Sequence, residues 1–331
     1  MKAAILNELN SDLLVEDVEL TNLKVGQVLV KVILSGLCGA QLQEIKGWKG
    51  NGKFLPHLMG HEGCGLVESV GEGVTTVKKG DKVVMHWRKG TGIESDFPNY
   101  ILSGRQISSG KVTTLSEFSI VSENRLTKVP DDTPAELCAM LGCSLTTALG
   151  VIDNECDLKF GESVSIIGCG GVGLNLIQAA AMKGASFITA IDINKNKEKL
   201  CKELGATEFS ETIKNKSDII IDTTGLAPVI ASALSYLGEN GRMILVGQPP
   251  PKTNAEIPDA SSLFNGAGHT IKATQGGCSD PYTDIPRYIN LYKTGKLNIK
   301  SLVTNYFSLA DVNSAFNLLK SGDAGRIMIK C

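Results

Sequence analysis

Along the first third of the chain, apolar residues fall in short runs and alternations punctuated by glycine. Residues 28–34 form a continuous apolar and β-branched run, the pattern of a buried strand. Residues 63–69 alternate, residues 70–74 (VGEGV) read as a turn, and residues 82–85 follow an exposed Lys-Lys-Gly-Asp turn. No helical period interrupts this pattern, so an antiparallel β-rich domain, rolled towards a barrel, is expected over roughly residues 1–130. The character changes at VPDDTP (129–134). There Thr133 can cap a helix with Pro134 at its first position, and apolar residues recur at helical spacing over 137–149. From residue 163 strands and helices alternate. Strands are expected at 163–167, 187–191, about 206–209, 218–222, 242–246 and 270–274, which is enough for a doubly wound six-stranded parallel sheet. The tail holds a helix at 286–294, a short strand, a helix at 309–321 and a last strand at 326–330, and it can return to the first domain.

The most informative stretch is SVSIIGCGGVGLNLIQAAAMKGASFITAID (163–192). A strand, a glycine turn, a helix over 174–183 and a second strand ending in an acid match the dinucleotide-binding spacing, G-x-G-x-x-G with a carboxylate about 20 residues on. Gly168 lets the chain leave the strand tightly, Gly170 lets the backbone approach a pyrophosphate, and Gly173 lets the helix pack on the sheet. Gly171 and Val172 carry N–H groups at the helix start, where the dipole favours an anion. With many glycines in the chain a bare match is weak, and an ordinary βα turn is the alternative. The flanking strand, helix and acid are what favour the cofactor. Asp192 can accept the ribose hydroxyls of NAD and would repel the 2′-phosphate of NADP, and no arginine follows it at 194–195.

Composition narrows the class. A chain of 331 residues is long for one core and indicates two domains. With 42% hydrophobic and 21% charged residues it is globular rather than disordered, and a net charge of −2 points to neither nucleic acid nor an anionic membrane as partner. No apolar run is long enough to span a bilayer and no signal-peptide core opens the chain, so a soluble cytoplasmic protein is expected. Its nine cysteines are odd in number, scattered and never in C-x-x-C, which fits a reducing compartment and buried free thiols.

Three places outside the glycine loop carry chemistry. They are GLCG (36–39) with Cys38, GHEG (60–63) with His61 and Glu62, and LGCS (141–144) with Cys143. Two thiolates and an imidazole are a three-ligand zinc set with a fourth position open. The separations are long and a lone histidine is more often a packing residue, so spacing leaves both readings open.

Motifs across nearly the whole chain, in order, resemble the zinc-dependent medium-chain dehydrogenase/reductase family, the alcohol dehydrogenase superfamily. They are GLCGAQ (36–41), GHEGCGLVESVGEGVTTVKKGDKVV (60–84), LGCSLTTALG (141–150), GCGGVGLNLIQAAAMKGA (168–185), AIDINKNKEKLCKELGAT (190–207) and GRIMIK (325–330). The resemblance implies a GroES-like catalytic domain made of residues 1–143 and 276–331, with a Rossmann domain at 144–275 inserted. It implies one catalytic zinc on Cys38, His61 and Cys143 with Glu62 beside the metal. Thr147 is expected at the nicotinamide, Asp192 and Lys197 at the adenosine ribose, and Arg326 at the pyrophosphate. The implied activity is hydride transfer between NAD and a secondary, polyol or sugar-like alcohol. The alternatives are a zinc-free NAD(P)H enone or quinone reductase of the same fold, or a dinucleotide-binding protein without turnover.

Two departures stand out. Where the family has C-x-[ST]-D, this chain has Ala40 and Gln41, so a hydroxyl relay and a carboxylate are both lost near the metal. The stretch 86–117, where relatives hold a four-cysteine structural zinc, contains no cysteine, so no structural zinc is expected. Trp87 falls at the family's aromatic pocket wall. His86, Arg88 and Lys89 beside it are candidates for a polar, sugar-like or phosphorylated substrate, a solvated loop being the alternative. An exposed edge strand at 271–274 implies a homodimer or homotetramer.

Overall fold

The strand Gln27–Gly36 organises the first unit. In the computed structural model, which describes residues 1–331, Val28, Val30 and Val32 of this strand are buried with Val67, Val83, Met85 and Val121. β-Branched residues hold few rotamers and pack well on a pleated face, so a valine-rich alternation makes a strand. One edge pairs antiparallel with Glu62–Val70. The other edge is divided. Residues 27–31 take Phe118–Ser122, and residues 34–36 take the late strand Arg326–Lys330. The sheet extends through Lys82–His86 to Leu126–Lys128 on one side and through Arg326–Lys330 to Val303–Ser308 on the other. The unit comprises Met1–Thr146, Asp280–Thr294 and Val303–Cys331. Its last strand is inserted beside one of its earliest.

The second unit comprises Thr147–Ser279 and Gly295–Leu302. Six parallel strands lie in the order Glu208–Ser210, Phe187–Ile191, Ser163–Ile167, Ser217–Asp222, Leu237–Leu245, Thr270–Ala273. Val164, Ser165 and Ile166 are all essentially buried, as a central parallel strand covered on both faces requires. Strand order reverses at Ser163–Ile167, and a doubly wound sheet opens its ligand crevice at the carboxyl end of that strand. The helix Gly171–Lys183 starts there and ends at Gly184, which is left-handed at φ 91°.

Several elements differ from the sequence pattern. A seven-residue helix, Gly39–Ile45, interrupts the β-rich region where no helical period was legible. The expected helix over 137–149 is two helices, Ala135–Leu141 and Ser144–Gly150, bent by 58° around Gly142 and Cys143 and followed by a π turn, Val151–Glu155. Thr133 does not cap the first of these. Pro134 occupies the cap position, and the Thr133 hydroxyl has no partner. The tail helix begins at Pro281 rather than at Pro286, because Asp280 caps it by accepting from the Tyr282 N–H. Pro286 is instead carried inside that helix. No single helix is long and apolar enough to cross a membrane.

Ile329 is fully buried in the strand that closes the first unit. Ile329→Ala is expected to lower stability by about 2–5 kcal/mol, the usual cost of truncating a core aliphatic residue. Urea unfolding followed by circular dichroism measures this, and a change within experimental error would show that the closing strand is not integral to the core.

Candidate functional site

Three potential ligand atoms converge in the first unit. Cys38 follows strand Gln27–Gly36 and stands at the start of helix Gly39–Ile45. His61 precedes strand Glu62–Val70 and follows Gly60, where φ is 100° and a side chain would collide with the Thr114 and Leu115 backbone. Cys143 sits at the bend between the two helices. The Cys38 and Cys143 sulfurs and a His61 ring nitrogen lie within 4.8 Å of one another. A tetrahedral ion bonded at about 2.3 Å to sulfur and about 2.0 Å to nitrogen holds its ligands about 3.5 Å apart, so one such ion fits with small adjustments. His61 Nε2 is buried and has no hydrogen-bond partner in the chain. A buried polar atom of this kind needs a partner from outside the chain.

The proton balance of the set is distinctive. A hydrogen bond between the two sulfurs holds the Cys38 thiol well below its ordinary range and pushes Cys143 well above it. Burial works against a charged His61, but Cys38, Glu62 and Glu44 together outweigh it and raise its pKa. Thiolate is the form of cysteine that binds metal, and of the two sulfurs Cys38 is the one held lower.

Around the three lies a buried frame. Gln41 is fully buried, and its side-chain carbonyl accepts the Cys38 backbone N–H at 2.8 Å, leaving Nε2 without a partner. It positions Cys38 from behind. Glu62 is expected beside the metal, yet it is not in the ligand group. One carboxylate oxygen pairs with Arg326 and the other accepts the Ser144 N–H at 3.1 Å. Burial pushes the Glu62 carboxyl up, but the Arg326 guanidinium and an N–H both require acceptor oxygens, so the ionised form is the one held. Arg326 is only 3% exposed and is committed to this pair, with Nε unpartnered. Gly36 completes the contact, since a Cβ there would strike both side chains.

A cleft of about 510 Å³ opens on His61. Trp87 and Phe97 wall it, and Glu94, Lys111 and Arg125 add charge. Of the expected substrate residues, Trp87 lines this cleft and His86 does not. His86 is buried, with Nδ1–H donating to the Arg88 carbonyl at 2.7 Å and Nε2 accepting from the Thr127 hydroxyl at 3.0 Å. Both ring nitrogens serve the fold. The Arg88 guanidinium stacks 5.5 Å from the Trp87 ring. Glu94, Lys111 and Arg125 were not legible as site residues. The only hint was cations interleaved with Trp87 and Phe97 over 86–117.

In the second unit, Gly168 turns at φ 89°, and its carbonyl lies where a side chain on Gly173 would have to go. A Cβ on Gly170 would meet nothing within 4 Å, which leaves open space at the start of the helix. Gly171 and Val172 open that helix, half-buried. Asp192 accepts the Cys169 N–H at 2.7 Å and Lys197 Nζ at 3.0 Å on one oxygen, and the Asn194 N–H at 2.9 Å on the other. The second oxygen keeps a lone pair for a hydroxyl. Thr147 begins this unit and is buried, its carbonyl closely approached by Gly277.

Removing Glu62 would leave Arg326 as an unpaired buried charge, so Glu62→Ala is expected to cost about 3–5 kcal/mol in urea unfolding. Glu62→Gln, which keeps an acceptor, should cost less. His86 gives a pH signature. Burial lowers its pKa from 6.5 to about 4. The unfolded chain then binds more protons between those values, and stability is lost as pH falls through that window. About 3 kcal/mol of the loss between pH 7 and 4 should disappear in His86→Gln, read as the difference between the two pH–stability curves.

Comparison with known proteins fits this geometry. The alcohol dehydrogenase GroES-like domain model matches residues 24–131 and the zinc-binding dehydrogenase model matches residues 171–293. Alcohol dehydrogenase 6 of Peromyscus maniculatus is 31% identical over 367 residues, covering 99% of this chain and 97% of that protein. Among solved structures, an alcohol dehydrogenase zinc-binding domain protein from Burkholderia ambifaria superposes with a TM-score of 0.90 at 27% identity, over 99% of this chain and 98% of the other. Benzyl alcohol dehydrogenase from Acinetobacter calcoaceticus gives a TM-score of 0.89 at 26% identity over the same shares. With the GroES-like and Rossmann halves both matched and a curated relative aligned end to end, the chain belongs to the zinc-type medium-chain alcohol dehydrogenases.

Proposed function

We propose that this chain oxidises a secondary or polyol-type alcohol with NAD, using one zinc ion on Cys38, His61 and Cys143. The observation that carries the reading is the buried two-sulfur, one-imidazole cluster, with His61 Nε2 lacking a partner inside the chain. Zinc, when bound, is a Lewis acid that lowers the pKa of a substrate hydroxyl. NAD, when bound, supplies the hydride acceptor.

The chain's own residues do the rest. Cys38, His61 and Cys143 fix the ion through three separate segments, and Gln41 orients Cys38 through its backbone N–H. The Glu62–Arg326 pair holds the segment after His61 against the segment after Cys143. Trp87 walls the cleft that opens on His61. In the second unit, Gly170 leaves room for a pyrophosphate and Asp192 keeps an acceptor for a ribose hydroxyl. Lys197 stays beside Asp192, and Arg326 stays paired with Glu62. Thr147 is assigned to the nicotinamide. Ala40 has no hydroxyl and Gln41 no acidic proton, so neither side chain can take the substrate proton.

Purified protein is expected to hold about one zinc per chain by elemental analysis. Cys38→Ser and His61→Ala should lose the metal and at least ~100-fold of NAD-linked alcohol oxidation, since even outer-sphere changes cost 10–100-fold. Asp192→Gly should shift the kcat/KM ratio towards NADP. Metal-free protein with undiminished turnover would overturn the reading.

A further inference from the structure

We propose that the cleft beside His61 selects an alcohol carrying an anionic group, a carboxylate or a phosphate, and that Lys111 and Arg125 hold that group. The proposal rests on the reading of this site as an alcohol-oxidising one. Its basis is a charge imbalance built into the cleft wall. Glu94 Oε1 accepts Lys111 Nζ at 2.6 Å and Arg125 Nη2 at 3.1 Å, and Oε2 accepts Asn124 Nδ2 at 2.7 Å with Lys89 Nζ at 3.8 Å. Three cations therefore surround one carboxylate, and of these Lys111 and Arg125 line the cleft with Glu94, which leaves one positive charge in excess at this end of the wall. Lys111, its hydrogen bond first, and then Asn124 hold the Glu94 carboxyl at about 2, so this balance does not change near neutrality.

These cations are fixed in place. The Lys111 and Arg125 side chains are only 19% and 13% exposed. Arg125 Nη1 is buried without a partner in the chain, and Arg125 lines the cleft together with Lys111. Partly buried charges act through a lower dielectric than surface ones and are screened less by salt.

The cleft also has a direction. Its other carboxylate, Glu44, faces His57 at 3.8 Å and acts electrostatically on His61. An anionic group is repelled from that end and drawn to the end of Lys111 and Arg125. The hydroxyl is thereby left towards His61. Between the ends, Trp87 and Phe97 offer apolar surface, with Lys111 Nζ 5.1 Å from the Phe97 ring. The volume suits a small molecule, ligand pockets being ~300–1,000 Å³.

The test uses the holoenzyme with NAD and two matched pairs, 4-(hydroxymethyl)benzoate against benzyl alcohol and glycerol 3-phosphate against glycerol. The anionic member of at least one pair is expected to show a kcat/KM higher by about 10- to 100-fold, the range of a charge-assisted hydrogen bond. Lys111→Gln should collapse that ratio towards unity, and Glu94→Gln, which frees the cations, should raise it. A structural role would move both members alike and leave the ratio unchanged. Isothermal titration with benzoate and with inorganic phosphate reads binding without turnover, and Lys111→Gln should weaken it at least 10-fold. Equal or better use of the neutral members, or ratios unchanged in both variants, overturns the proposal. If no alcohol of either kind is oxidised, the proposed function falls and the titration alone decides. Anion binding lost in Lys111→Gln then supports this site, and absent or unaltered binding removes it.

Discussion

The ion pair between Glu62 and Arg326 is the contact around which the first unit closes. The two residues are 264 positions apart, and both are buried. Taking both charges out of water is costly, and the pair is tolerable only because each finds close partners. What it touches is informative. Gly36 lies two residues before Cys38, Glu62 directly follows His61, and Ser144 directly follows Cys143. Each of the three segments bearing a sulfur or imidazole ligand is thus held at a point one or two residues from that ligand. The geometry of the ligand set is inherited from a salt bridge that contains none of its members.

The two units build their sites by different physics. The cofactor loop is local. Gly168, Gly170, Gly173 and Asp192 lie within one strand–helix–strand segment, and backbone geometry does most of the positioning. The ligand set and the cleft wall are non-local. Cys38, His61 and Cys143 come from three segments, and Glu94 collects partners 17 and 31 residues away.

That difference explains what was legible in the chain. The central parallel strands could be read because strands buried on both faces are apolar runs, as at residues 163–167 and 217–222. The glycine loop could be read because its spacing is contained in one segment. Helix Gly39–Ile45 could not, because seven residues with two glutamines show no period. Pro286 misleads as a helix start because it lies inside a helix that Asp280 caps six residues earlier. Convergence of the two cysteines and the histidine depends on sheet register, so only family resemblance pointed to it. Register also hides His86. Its neighbour Trp87 lines the cleft, while His86 sits in strand Lys82–His86 with both nitrogens bonded inward. The place of Lys111 and Arg125 at the cleft was not legible because nothing near them in sequence reveals Glu94.

The divided edge of strand Gln27–Gly36 bears on the order in which the molecule is made. Vectorial synthesis delivers residues 27–31 and their partner Phe118–Ser122 early, but residues 34–36 wait for Arg326–Lys330. Every strand of the parallel sheet, the last being Thr270–Ala273, is translated in between. The second unit therefore has its full sheet complement while the first still lacks a strand and the cation opposite Glu62. Domains emerging from the ribosome tend to fold as units, earliest first. Here the unit that supplies the earlier strands is completed after the parallel sheet, and the frame around Cys38, His61 and Cys143 closes only once Arg326 has been made.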